Sequence, residues 1–140
     1  MSWLLDTCVL SEYVKKVPVS RVIQWLDEQD EDSLFISVVS IGEIEKGILK
    51  LAVSDIARSR RLAAWLGKLE QRFAGRILTL DAGALHVWAQ LASGAELAGQ
   101  TLPVMDGLIM ATAQCRGLTI VTRNTGDFRL YPQVFDPWTS

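Results

Sequence analysis

A chain of 140 residues, 49% hydrophobic and 21% charged, has the size and balance of one ordinary globular domain, which excludes disordered and collagen-like designs. Its formal net charge of −2 argues against a protein that coats nucleic acid by bulk electrostatics. Two cysteines, Cys8 and Cys115, show neither CxxC nor metal-finger spacing, so no disulfide framework is expected and the cytoplasm is the default compartment.

The opening Met1-Ser2-Trp3-Leu4-Leu5 meets Asp6 at once, without the basic and apolar regions of a secretory signal. Trp3-Leu4-Leu5 predicts a short strand running into a helical turn from about Cys8. Pro18 opens a helix with Val22, Ile23, Trp25 and Leu26 at helical spacing. Residues 27–32 carry five acids and are expected as a solvated face. Leu34 to Val38 predicts a second strand, and Ser40 is expected to cap the helix that follows. Ser54 starts the longest helix, with Ile56, Leu62, Trp65, Leu66, Leu69 and Phe73 on its expected buried side and Gly75 closing it. Arg58, Arg60, Arg61, Lys68, Arg72 and Arg76 give this region a basic surplus.

Arg76 to Leu80 predicts a third strand, and a helix over Ala82–Leu97 carries Leu85, Trp88 and Leu91 towards the core. This is also the longest charge-free stretch, Ala82 to Ala95, and its Gln, His, Ser and Gly keep it from resembling the roughly 18 uncharged apolar residues of a membrane span. Pro103 opens a last helix that stops at Gly117, Leu118 to Thr122 is a continuous apolar strand, and Val134-Phe135 is the final strand. Strands alternating with helices, without repeats or linkers, imply a three-layer α/β/α sandwich around a parallel central sheet, formed as a single domain over residues 1–140. In such a sheet, ligands bind beyond the carboxyl ends of the strands.

Acids from distant segments are expected at that edge. Asp6 follows the first strand, Glu43 sits in the first turn of the helix after the second, Asp106 sits in the first turn of the helix opened by Pro103, and Asn124 and Asp127 follow the strand 118–122. Each has a purely structural explanation: Ser40-Ile-Gly-Glu43 as a capping box, Asp6 as a helix cap, Asp106 as a favourable charge on a helix dipole, Asp127 as a turn residue. Together they demand more, because two carboxylates ~4 Å apart repel by about 4 kcal/mol at an effective dielectric of 20. Oxygen ligands without converging His or Cys select Mg²⁺ or Mn²⁺ over Zn²⁺, and that ion suits phosphodiester hydrolysis.

Other chemistries fail on inventory. A single histidine, His86, expected as a structural helix residue near the core rim, rules out a paired-histidine ribonuclease. No Gly-x-Ser-x-Gly elbow and no glycine-rich phosphate loop occurs. Trp25, Trp65 and Trp88 keep helical apolar spacing and are read as core residues, not as RNA-stacking platforms.

Four blocks carry a family resemblance. Leu4-Leu-Asp-Thr-Cys-Val-Leu-Ser-Glu12, Ser37-Val-Val-Ser-Ile-Gly-Glu43-Ile-Glu-Lys-Gly47, Asp106-Gly-Leu-Ile-Met-Ala-Thr-Ala113 and Val121-Thr-Arg-Asn-Thr-Gly-Asp-Phe128 resemble PIN-domain ribonucleases of the VapC toxin type. Phe73 to Leu78 and the ending Val134-Phe-Asp-Pro-Trp138 are similar to the FitB-like branch. The resemblance implies a Mg²⁺-dependent endoribonuclease toxin held in check by a cognate antitoxin protein, with DNA met only through that antitoxin, no membrane association, and homodimerisation. By position it makes Asp6, Glu43 and Asp106 metal ligands, puts Asn124 in a fourth site that frequently carries Asp, and sets Asp127 just behind it. Thr7 would hold a ligand through its hydroxyl, and Arg123 or the Arg58–Arg76 surface would guide the RNA backbone. Cys8 stands where the family often has Asn. Two alternatives compete with this reading: a haloacid-dehalogenase-like phosphatase with Asp6 as nucleophile, which lacks the usual second acid because position 8 is Cys, and a catalytically silent antitoxin-binding module.

Overall fold

The computed structural model describes residues 1–139; Ser140, the last residue of the expected domain, lies outside them. Five parallel strands form the centre: β1 (Trp3–Leu5), β2 (Leu34–Ser37), β3 (Ile77–Leu78), β4 (Thr119–Val121) and β5 (Val134–Phe135), in the order β3-β2-β1-β4-β5. Between β1 and β2 lie α1 (Thr7–Glu12) and α2 (Ser20–Glu28); between β2 and β3 lie α3 (Val38–Leu51) and α4 (Ile56–Arg72); between β3 and β4 lie α5 (Ala82–Leu97) and α6 (Val104–Arg116). Among the described residues no helix is long and apolar enough to cross a membrane.

The period-two alternation of strand side chains divides the core into two layers. Leu5 and its register partner Val121 face a cluster with Val9, Leu10, Leu26, Leu66 and Phe73, built from the helices α1 to α4. Leu4 and its partner Ile120 face the opposite cluster, with Ile109, Met110 and Ala113 of α6. The direction of crossing explains this split. Connections through α1 to α4 step outward from β1 to β3, whereas α5 and α6 carry the chain back past β2 and β1 to β4, on the other face.

Local chemistry sets the boundaries. Asp81 Oδ1 accepts from the Ala84 amide at 2.9 Å and starts α5, and Gly117, at φ +66°, ends α6 in the left-handed region that glycine adopts freely. Gly107 lets α6 approach α5: a Cβ there would lie 3.0 Å from the Trp88 ring. Trp25 also packs as expected, edge-on to Trp3 with centroids 5.0 Å apart.

Several expectations need correction. The cap of α3 is Ser37, whose Oγ accepts from the Val39 amide at 3.0 Å, so Ser40 is buried inside the helix and the capping box with Glu43 does not form. Glu43 is therefore the sixth residue of α3, in its second turn. The long helix starts at Ile56 behind its cap Asp55, and Ile56 is exposed because it precedes the first turn that packs. Strand β3 is limited to two residues by its pairing with Ile36 and Ser37. On α5, only Ala84 and Ala95 are fully buried; Leu85 and His86 are exposed, because this helix is apolar on more sides than the one it packs with.

Much of the basic surplus on α4 serves the fold. Arg76 donates from Nη1 to the carbonyls of Glu31 (2.6 Å) and Leu34 (2.8 Å) and from Nη2 to that of Arg72 (2.7 Å), while its guanidinium covers the Phe73 ring at 4.7 Å. Arg72 pairs with Glu31 at 2.7 Å. Arg76→Ala is expected to destabilise the protein by about 2–3 kcal/mol, measured by urea unfolding, since it strips charged donors from several carbonyls at once.

Candidate functional site

The strand order reverses at β1: the chain leaves β1 towards β2, and leaves the adjacent β4 towards β5. Ligands in parallel sheets bind beyond the carboxyl ends of the strands at such a reversal, and the first residues beyond β1 and β4 are Asp6 and Thr122. The Asp6 amide still donates to the Val121 carbonyl at 3.0 Å, so the sheet holds its backbone rigidly.

Both oxygens of Asp6 are engaged. Oδ1 accepts from the Thr7 amide at 2.8 Å and caps α1, while Oδ2 accepts from the Thr122 hydroxyl at 2.8 Å, with the Cys8 thiol 3.7 Å away. Burial raises its carboxyl above the ordinary range, the Thr122, Thr7 and Cys8 hydrogen bonds oppose that shift, and the Asp127 charge adds to it. Burial likewise pushes the Cys8 thiol up, so it stays protonated and acts as a weak donor.

Thr7 connects Asp6 to the second acid, its Oγ1 donating to Glu43 Oε1 at 3.0 Å. Asp106, half-buried in the first turn of α6, titrates at about 6, through burial first and then through the charges of Asp127, Asp6 and Glu43. Four acids from four separate segments thus share one electrostatic neighbourhood. Among the described residues none of the four is ion-paired to Lys, Arg or His.

Asn124 sits at the mouth, exposed, its amide donating to Thr122 Oγ1 at 3.0 Å. It leads into a 3-10 turn, Thr125–Phe128, that carries Asp127. Arg123 is exposed beside them, its guanidinium 5.1 Å from the centre of the Trp138 ring. With Arg72 and Arg76 committed to the fold, Arg58 and Arg61 are the members of the basic surplus that, with Lys15 and Lys16, line an open groove of about 800 Å³.

Two residues escaped sequence reasoning. Thr122 is fully buried and links Asp6 to Asn124; its one visible signal is a hydroxyl directly after the buried strand β4. Glu12 is fully buried, accepts from the Val19 amide at 2.9 Å and pairs with Lys15. Burial works against its charge, but Lys15, the Val19 amide and Arg123 outweigh that and hold its carboxyl low, so it fastens the segment 13–19 to α1.

The donor set suits a hard divalent cation. It consists of carboxylates and hydroxyls beside a thiol that remains neutral, and the accumulated negative charge carries no protein cation. Among the described residues, no group of three or more His, Cys, Asp or Glu side chains lies close enough together to hold a metal ion. A cation bound here would take its protein ligands from a few carboxylates and keep part of its water shell.

Known proteins with this chain's features agree on one family. The PIN domain profile matches residues 3–133. Toxin FitB of Neisseria gonorrhoeae is 36% identical over 140 residues, covering 96% of this chain and 97% of that protein. VapC ribonuclease Y4jK of Sinorhizobium fredii is 30% identical over 140 residues, with 96% of each chain covered. The crystal structure of FitAcB from Neisseria gonorrhoeae superposes with a TM-score of 0.89 at 34% identity, covering 99% of both chains. With its parallel sheet, its reversal point between β1 and β4 and a match running almost from end to end, the chain belongs to the PIN-domain family.

Proposed function

We propose that this chain, as a single PIN domain over residues 1–140, is the toxin of a toxin–antitoxin pair: a Mg²⁺-dependent endoribonuclease, able to use Mn²⁺, that hydrolyses RNA phosphodiester bonds in the cytoplasm. The observation that carries this reading is the gathering of Asp6, Glu43, Asp106 and Asp127 around the switch point without a neutralising side chain. Asp6, Asp106 and Glu43 would hold the cation. When bound, it supplies a lowered pKa for water and offsets charge on the phosphate in the transition state.

The chain's own residues set the geometry for that chemistry. Thr122 and the Thr7 amide fix the two oxygens of Asp6, so its orientation is settled before any ligand arrives. The Thr7 hydroxyl fixes one oxygen of Glu43 and leaves the other to accept a proton or orient water. Asp106, poised at about 6, is ionised at neutral pH and ready to bind. Arg123, supported by the Trp138 ring, offers a fixed cation to the RNA backbone, and the groove of Lys15, Lys16, Arg58 and Arg61 offers more.

The antitoxin partner follows from the similar Toxin FitB and the solved structure of FitAB bound to a DNA fragment. Homodimer formation would use α5, which leaves Leu85 39% and Leu97 88% exposed. The test is cleavage of RNA by purified protein. Activity is expected to vanish in EDTA and return with Mg²⁺ or Mn²⁺; cleavage that survives chelation overturns the reading.

A further inference from the structure

We infer that the apolar groove between α3 and α6, which shares Glu43 with the acidic site, receives a nucleobase of the RNA and selects the nucleotide beside the scissile phosphate. The inference rests on the nuclease reading above and names a specificity element of that same site.

The groove encloses about 510 Å³. Val38 and Gly42 come from α3, Met105 and Leu108 from α6, and Leu80, from the segment between β3 and α5, adds to the apolar lining. Two charged residues join them, Glu43 and Lys46. Glu43 belongs to both places: it accepts from the Thr7 hydroxyl at 3.0 Å beside Asp6, and it lines the groove. Met105, on the other wall, is the chain neighbour of Asp106. A phosphate held at the carboxylates therefore has its adjoining nucleoside at the mouth of this groove.

The fold does not account for the lining. Gly107 is glycine for a packing reason, since a Cβ there would lie 3.0 Å from the Trp88 ring. Gly42 has no such reason: it stands inside α3, where glycine is unfavourable, and a Cβ there would meet nothing within 4 Å. What the missing side chain leaves is depth in the groove. Opposite it, Met105 is 50% exposed in the first turn of α6. Its flexible, polarizable thioether suits the face of a flat ring.

The charges select the occupant. Glu43 and Lys46 are three residues apart and so share one side of α3, and Lys46 forms no ion pair among the described residues. An acid on one side of an apolar slot and a free ammonium group one turn on match a stretch of RNA, with one phosphate at the cation, a base between the walls and the next phosphate at Lys46. A second copy of this chain laid over the groove would have to supply partners for both charges, because covering them unpaired is costly.

The experiment fills the groove. Gly42→Leu removes a glycine from a helix interior and projects a side chain into open space, so the fold is kept; Gly67→Leu makes the same exchange in α4, where a Cβ also meets nothing and the groove is remote, and serves as the control. Each protein is given a random-sequence RNA pool with Mg²⁺, the cut sites are read by sequencing, and Mn²⁺ calorimetry and sedimentation are run alongside. The wild type and Gly67→Leu are expected to prefer one base or base class beside the cut. Gly42→Leu is expected to lose that preference and raise KM about tenfold, with kcat, Mn²⁺ affinity and sedimentation unchanged. A wild type indifferent to the flanking base, a Gly42→Leu protein that cuts like the wild type, an equal loss in Gly67→Leu, or a Gly42→Leu defect that follows lost Mn²⁺ binding or an altered oligomeric state overturns the inference and leaves the nuclease reading standing. If the wild type cuts no RNA with Mg²⁺, both fall.

Discussion

Asp6→Asn is expected to lower metal-dependent RNA cleavage on the order of a thousandfold or more, in a protein that stays folded. The substitution keeps shape and removes charge. Asn caps a helix about as well as Asp, so its oxygen continues to accept from the Thr7 amide and α1 keeps its start. On the other side an amide replaces the oxygen that receives the Thr122 hydroxyl, and the hydroxyl must turn to accept instead. The Asn124 amide already donates to that same oxygen, so the local network is strained but not emptied. Against this cost stands a gain, because a carboxylate that burial disfavours has been neutralised. Thermal stability should therefore change little while cation binding and cleavage collapse together. Cleavage retained by a well-folded Asp6→Asn protein would sink the assignment.

The contrast between fold and site shows what a sequence can carry. Boundaries governed by nearby residues were readable: Trp3–Leu5, Ala82–Leu97 and Val134–Phe135 fall where the pattern of apolar residues and caps puts them. Those governed by partners were not. Ser37 and Ser40 are equally good caps in isolation, and the choice between them depends on how far β2 can pair, which is set by β1 on one side and β3 on the other. Reading Ser40 as the cap placed Glu43 in the first turn, when it lies in the second.

At the site, the residue types and their edge of the sheet followed from topology, since strand ends converge wherever a parallel sheet reverses its order. The contacts themselves did not. Thr122 touches Asp6 across 116 positions of sequence, and only the register that sets Leu5 against Val121 makes that pairing visible. One carboxylate can serve both the fold and the proposed site. Asp6 does cap a helix, with one oxygen, and this leaves its second oxygen oriented by Thr122.

Asp106→Asn should separate activity from stability, moving them in opposite directions. Its carboxyl titrates at about 6, raised by burial and then by Asp127, Asp6 and Glu43. A group whose folded pKa lies above its unfolded value contributes stability in full below the unfolded value, and loses it as pH rises through the folded one. The metal-free wild type therefore weakens between about pH 4 and pH 6–7, when Asp106 is forced to ionise among like charges. Asn cannot ionise and escapes this loss. The expected result in EDTA is a variant with a melting temperature close to that of the wild type near pH 4 and roughly 2–4 °C higher at pH 8, a modest gain because the side chain is only half-buried and solvent screens it. Added Mg²⁺ should reverse the ranking. It raises the melting temperature of the wild type through linkage to the folded state and leaves the variant nearly unmoved, and RNA cleavage by the variant should fall on the order of a thousandfold. Site residues that repel one another until a cation arrives are a source of instability that function maintains. A stability difference that stays constant across pH in EDTA would mean that Asp106 is not held among the other carboxylates, and the shared pocket would lose its physical basis.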